Sequence, residues 1–69
     1  MAVDRSWRSP EGRWIVEQVV DEPGVEYRLW DEGVLAAEVA SPEELIRLLA
    51  LVGVDPQRLM PTTGGRWSE

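Results

Sequence analysis

The C-terminal half of the chain contains one segment with the full set of signals for an amphipathic helix. Apolar side chains recur there at about 100° per residue and share one face: Leu45, Leu48, Leu49 and Val52. Ser41 can accept a hydrogen bond from the first free amides, and Glu44 can complete a capping box. Pro42 suits the first helical position, and Gly53 suits the left-handed residue that ends a helix. We therefore predict a helix over residues 42–52.

Three segments before this helix have the composition and the polar–apolar alternation of β-strands: 13–20, 25–30 and 34–39. A four-residue turn at 21–24 joins the first two strands. A three-residue hairpin joins the last two, with Gly33 at the left-handed bulge position. The pattern predicts an antiparallel meander.

The two ends of the chain carry weaker signals. Residues 3–8 either add a fourth strand, with Trp7 facing Trp14 across a turn, or remain a frayed arm. Asp55 and Pro56 can start one short helical turn after the main helix.

The predicted fold is α+β: a three-stranded or four-stranded antiparallel β-meander packed on one face by a single C-terminal α-helix, in the order β-β-β-α. Residues 10–60 form its single small domain. An N-terminal arm or extra edge strand at 1–9 precedes the domain. A flexible tail at 61–69, rich in glycine and polar residues, follows it.

The predicted turns also determine which residues face one another across the sheet. The helix-covered face is expected to contain Trp14, Val16, Val20, Val25, Tyr27, Leu29, Leu35, Ala37 and Val39. The first turn places Val16 opposite Leu29, and the second places Leu29 opposite Leu35. Gln18 is the one polar residue on this face, and the Tyr27 hydroxyl opposite is its expected hydrogen-bond partner.

No predicted helix covers the other face of the sheet. Three rows are expected to cross it: Ile15, Trp30 and Val34; Glu17, Arg28 and Ala36; Val19, Glu26 and Glu38. An exposed apolar row is typical of a contact surface, so either Trp7 or Trp67 folds back over it or another chain covers it. The candidate interface comprises Ile15, Glu17, Val19, Arg28, Trp30 and Val34. Candidate partner-binding side chains at the two ends are Trp7, Arg66 and Trp67.

Composition narrows the kind of partner. The chain has 69 residues and a net charge of −6, from 13 acidic and 7 basic residues. Such a charge argues against nucleic acid, because that affinity depends on neutralised phosphates. A domain this small has a core that gives only marginal stability. Because the chain has no cysteines for disulfides, association with a partner chain is the remaining way to stabilise it. Every basic residue is arginine, which favours a GC-rich bacterial source. With no predicted membrane span or signal peptide, the expected location is the cytoplasm.

Residue types argue against catalysis. The chain has no histidine or cysteine, so it lacks the commonest general base and metal ligand, and no serine has an activating partner. The adjacent carboxylate pairs fall at turns and at the helix start, where acidic residues are common for structural reasons. We therefore expect no catalytic residue, no metal and no cofactor.

Two local motifs resemble a known architecture. Gly12-Arg13-Trp14 before the first strand and Pro42-Glu43-Glu44-Leu45 in the helix, within three strands and a helix, resemble the AP2-type and integrase arm-binding DNA domains. The resemblance covers residues 12–52 and implies DNA recognition by the sheet face. The first expectation from the residues is instead a small acidic interaction module that forms a homodimer, or binds another protein, through the open face. A third is an acidic DNA mimic that inhibits a basic protein.

Overall fold

A computed structural model describes residues 2–21 and 24–63. This part of the chain forms a five-stranded antiparallel sheet with one α-helix. The strands are β1 (Ala2–Arg8), β2 (Trp14–Asp21), β3 (Gly24–Asp31), β4 (Val34–Val39) and β5 (Met60–Thr63). The helix α1 (Pro42–Leu51) and a short 3-10 turn (Pro56–Arg58) lie between β4 and β5. The strand order across the sheet is β4-β3-β2-β1-β5. The α+β class is confirmed, but the sheet has five strands instead of three or four.

The N-terminal segment is a strand, but its predicted register is wrong. Trp7 lies opposite Val16, and Ser9 closes the hairpin with Trp14. The Trp14 amide donates to Ser9 Oγ at 3.0 Å, and the Ser9 amide donates to the Trp14 carbonyl at 2.9 Å. The four-residue loop is therefore 10–13 instead of the predicted 9–12, and this difference shifts the opposing positions by two residues. β1 also bulges at Asp4, which has no partner in β2.

The fifth strand is the main difference from the predicted architecture. Met60 lies opposite Arg8 and Pro61 opposite Trp7, so β5 pairs with the outer side of β1. A proline is tolerated there because an edge strand need not donate every amide to a neighbour. β5 includes residues 61–63 of the predicted tail, and residues 64–69 of that tail lie outside the described residues.

Between β2 and β3 the predicted register is confirmed, with Val16 opposite Leu29 and Gln18 opposite Tyr27. Residues 22–23 of the connecting turn lie outside the described residues.

Between β3 and β4 the predicted register is wrong. Glu32 and Gly33 both have positive φ, 50° and 86°, as in a two-residue type I′ turn. Ala36 is then left without a partner as a bulge, and Leu29 lies opposite Ala37. As a result Leu35 leaves the helix-covered face and lies opposite Trp30.

The caps of α1 follow the sequence signals, but the helix ends at Leu51, one residue before the predicted end, with Val52 as its C-cap. The Glu44 amide donates to Ser41 Oγ at 3.2 Å, and the Ser41 hydroxyl lies 3.3 Å from Glu44 Oε1. At the other end Gly53 has φ 77°. The Val54 amide donates to the Leu49 carbonyl at 2.9 Å, the bond expected of a Schellman motif.

The core lies between α1 and the sheet. Its buried members are Trp7, Trp14, Val16, Leu29, Leu45, Leu49, Val54 and Leu59, with Tyr27, Ala37, Val39 and Leu48 packed around them. Three predicted members are exposed instead: Val20, Val25 and Leu35. The Val20–Val25 pair lies at the end of the sheet next to the Asp21–Gly24 pair, and the bulge moves Leu35. Trp7, from the segment predicted as either an arm or an extra strand, and Leu59, from the predicted helical turn, complete the core.

Candidate interface on the open face of the sheet

The face of the sheet opposite α1, called here the open face, presents the candidate interface. Cross-strand pairs place Ile15 beside Trp30, Glu17 beside Arg28, and Val19 beside Glu26. These pairs confirm how β2 and β3 contribute to the three predicted rows. The β4 members differ, because the bulge at Ala36 shifts that strand.

An apolar row crosses one end of the open face. Leu35 replaces Val34 beside Trp30, and Arg8 and Met60 extend the row on the other side of Ile15. Leu35 and Met60 are 43% and 41% exposed, while Ile15 and Trp30 are half-buried. We call Met60, Ile15, Trp30 and Leu35 the apolar row. Val34 is 68% exposed but lies opposite Asp31, on the other face of the sheet.

Polar contacts hold the next row in place. The Trp30 indole Nε1 donates to Glu17 Oε1 at 2.7 Å. The Arg28 Nε donates to Glu38 Oε2 at 3.1 Å in a partly exposed ion pair. Because the indole nitrogen is already bonded, the Trp30 ring has a fixed orientation and offers its apolar surface to a partner.

Two predicted site residues are not on the accessible surface. Val19 belongs to the open face by register, but it is completely buried. Trp7 points to the other face, packs in the core and is 2% exposed. The predicted partner-binding residues Arg66 and Trp67 lie outside the described residues.

An exposed ion pair lies at the end of the sheet next to the apolar row. Arg13 donates to both carboxylate oxygens of Asp31, at 2.7 and 3.1 Å. Its guanidinium carbon also lies 5.0 Å from the centroid of the Trp14 ring. The hydrogen bond and charge of Arg13 lower the pKa of Asp31, and Asp31 in turn raises the pKa of Arg13. The pair joins the start of β2 to the end of β3.

In the nearby turn, hydrogen bonds lower the pKa of Glu11: first that of its own backbone amide, then that of Ser9. The described residues include no group of three or more acidic side chains that could hold a metal ion. None of the described helices is long and apolar enough to cross a membrane.

The sequence did not predict two members of the apolar row, Leu35 and Met60, or the position of Arg8 between Ile15 and Met60. The position of Leu35 beside Trp30 depends on the length of the Glu32-Gly33 loop, which was predicted as three residues and has two. Met60 carried a weak signal, because it alternates with the buried Leu59.

Comparison with known proteins adds no relative: no family model, curated protein or solved structure matches the chain.

Proposed function

We propose that this protein is a non-enzymatic interaction module that binds a second copy of itself through the open face. The observation that supports this proposal is the apolar row, which lies on the side of the described sheet that α1 does not cover. Half-exposed Leu35 lies beside the fixed Trp30 ring, and half-exposed Met60 lies at the other end of the row. An apolar strip of this kind beside polar groups favours burial against another protein surface.

The strand order makes a two-fold dimer geometrically simple. β2 is the central strand of the five. A two-fold axis along β2 between two stacked sheets would place Ile15 against Ile15 of the second copy. The same axis would place β1 over β3 and β5 over β4, so that Met60 meets Leu35. The apolar rows would then lie on each other, as an isologous interface requires.

Charge supports a second copy as the occupant. Arg8 is exposed and occupies the β1 position of the row. In the stacked arrangement it would lie over the Trp30 ring of the second copy, within reach of the Glu17 carboxylate bonded to that ring. A cation over an indole face is attractive by about 0.5–2 kcal/mol, depending on its desolvation. Each copy supplies both the cation and its acceptor.

The expected affinity is modest. Five strands at about 4.8 Å spacing, and about six residues at 3.3 Å each, span a flat area of roughly 500 Å² per copy. Such a contact lies at the lower end of specific interfaces, where about 800 Å² per partner is usual. We therefore expect dimerisation in the micromolar range.

The open face is a poor surface for DNA. Arg28 is paired with Glu38. Glu17 lies in the same row and Glu26 in the next one, so phosphates would meet carboxylates as well as arginines. Retention on a DNA column that falls with salt would contradict the proposed function and favour the AP2-like resemblance. Capture by a basic protein that depends on the acidic rows would favour the DNA mimic.

Sedimentation velocity over a concentration series tests the proposal. Trp30→Arg should convert the dimer to a monomer, because it removes the central aromatic and places like charges opposite each other. Leu51→Arg is the matched control, since Leu51 is 80% exposed on α1 and lies away from the open face. A wild-type protein that stays monomeric at millimolar concentration would refute the proposal. A dimer that Leu51→Arg disrupts and Trp30→Arg does not would assign the interface to the helix instead.

A further inference from the structure

A pocket of about 370 Å³ lies between the β1–β2 hairpin and the segment that joins α1 to β5. The hairpin contributes Ser9, Pro10 and Glu11 to its walls, and the segment after α1 contributes Val54, Asp55 and Arg58. None of these residues belongs to the apolar row, so the pocket is separate from the proposed dimer interface.

Two carboxylates line the pocket, and hydrogen bonds hold each of them in place. The Gln57 amide donates to Asp55 Oδ1 at 2.9 Å. Glu11 accepts hydrogen bonds from its own backbone amide and from the Ser9 hydroxyl. A carboxylate has about four lone-pair sites, so each can still accept bonds from a ligand. The pocket therefore presents two oriented acceptors to a cation.

The end of α1 adds partial negative charge beside these carboxylates. Gly53, which follows the C-cap Val52, also lines the pocket. The carbonyl end of a helix favours a nearby cation, and the last turn of α1 contains no basic residue. A cation bound in the pocket would therefore interact with the helix end as well as with the two carboxylates.

Arg58 is the basic residue among those that line the pocket. Its side chain is exposed. Within the described part of the chain, the ion pairs involve other arginines, and none joins Arg58 to Glu11 or Asp55. Opposite charges thus line one space without meeting each other, which leaves room for a molecule that carries both charges and bridges them.

Two further residues of the pocket indicate an apolar body on the same ligand. Pro10 is exposed, and Val54 belongs to the core, so the two can offer apolar surface inside a charged rim. Ligand pockets usually combine apolar walls with a few polar groups and have volumes of roughly 300–1,000 Å³. This pocket lies at the lower end of that range, so its ligand must be small.

We propose that this pocket binds a small zwitterion, an α-amino acid with an aliphatic side chain. The ammonium group lies against Glu11, Asp55 and the end of α1. The carboxylate pairs with Arg58, whose guanidinium can offer it two parallel donors. The aliphatic side chain rests on Pro10 and Val54.

NMR titration with L-leucine tests the site. N-acetyl-L-leucine is the probe without the ammonium charge, and L-leucinamide is the probe without the carboxylate. At about pH 6 the amines of leucine and leucinamide are both protonated. Leucine should cause saturable shifts of the Glu11 and Val54 backbone amides, and each probe should bind at least ten-fold more weakly. Equal affinity of leucine and either probe would overturn the proposal, as would the absence of saturable shifts up to tens of millimolar leucine.

Variants assign each charge of the ligand to its partner. Arg58→Gln should abolish the preference for leucine over leucinamide and preserve the preference over N-acetylleucine. Glu11→Gln should reduce the preference over N-acetylleucine several-fold, and its amide oxygen can keep the hydrogen bonds of the turn, so the fold should be retained. Arg47→Gln and Glu43→Gln are the matched controls, because both residues are exposed on α1 and do not line the pocket. Equal losses in the controls and the pocket variants would overturn the proposal, as would unchanged binding in both pocket variants.

Discussion

Replacing Leu49 by alanine tests how the core is packed. Leu49 is fully buried between α1 and the sheet. Leucine-to-alanine changes in a packed core cost about 2–5 kcal/mol, since they remove buried methyl groups and leave a cavity. Leu51, two residues later on the same helix, is mostly exposed. Leu51→Ala should therefore cost less than about 0.5 kcal/mol.

The expected loss is a large fraction of the total stability. Domains have about 0.05–0.15 kcal/mol of unfolding free energy per residue, which corresponds to roughly 3–10 kcal/mol for this chain. With a urea slope of about 1 kcal/mol per molar, Leu49→Ala should lower the unfolding midpoint by at least about 2 M.

Urea titration followed by tryptophan fluorescence is a suitable assay, because Trp7 and Trp14 are buried beside Leu49. Protein concentration must be held constant, since dimerisation would add to the apparent stability. Leu49→Met is the control that conserves volume, and it should cost less than about 1.5 kcal/mol. Equal midpoints for Leu49→Ala and Leu51→Ala would refute the assignment of the buried helix face.

Three further changes test local features. Ser41→Ala should destabilise the fold by about 1 kcal/mol, because it removes the acceptor for the Glu44 amide; an unchanged thermal midpoint would mean that the cap contributes nothing. Glu32→Asn should raise stability by roughly 0.5–1 kcal/mol, since asparagine adopts positive φ more readily than glutamate; a lower midpoint would contradict the type I′ turn. The third change concerns pH. Arg13 lowers the pKa of Asp31 in the folded protein. The pair therefore stabilises the fold above about pH 4, where the carboxylate is also ionised in the unfolded chain. This contribution is lost as the pH falls through the lower pKa of the folded state. The difference in melting temperature between wild type and Asp31→Asn should therefore narrow from pH 5 to pH 2, and a constant difference would count against the ion pair.

Features that depend on local signals could be predicted from the sequence. The cap at Ser41 and the end at Gly53 define α1 through neighbouring residues alone. The register of β2 and β3 followed from alternation and the 21–24 turn. These signals also predicted that Ile15 and Trp30 would share the open face.

The register of β4 could not be predicted in the same way. A type I′ turn needs positive φ at both loop residues, and glutamate seldom adopts it. The sequence therefore favoured a three-residue loop in which only Gly33 has positive φ. The bulge at Ala36, after which Ala37 pairs with Leu29, has no signature in the sequence.

Features that depend on contacts between segments distant in sequence also could not be predicted. β5 forms only because β1 offers an edge on which it can pair, while Pro61 and the following glycines favour a tail. Trp7 is in the core because β1 joins the sheet, and its burial removes it from the predicted binding residues. Val19 is also buried, although its register position on the open face predicted an accessible side chain.

The central claim is that the apolar rows of two copies meet, and an isotope-filtered NOE experiment tests it most directly. Labelled and unlabelled protein are mixed in equal amounts, so that only contacts between copies give cross-peaks. We predict cross-peaks from the Leu35 methyl groups to Met60, and from the Trp30 ring to the Arg8 side chain, of the other copy. Intermolecular cross-peaks confined to Ile46 and Leu51 of α1, or none at concentrations where the wild type sediments as a dimer, would contradict the proposed interface.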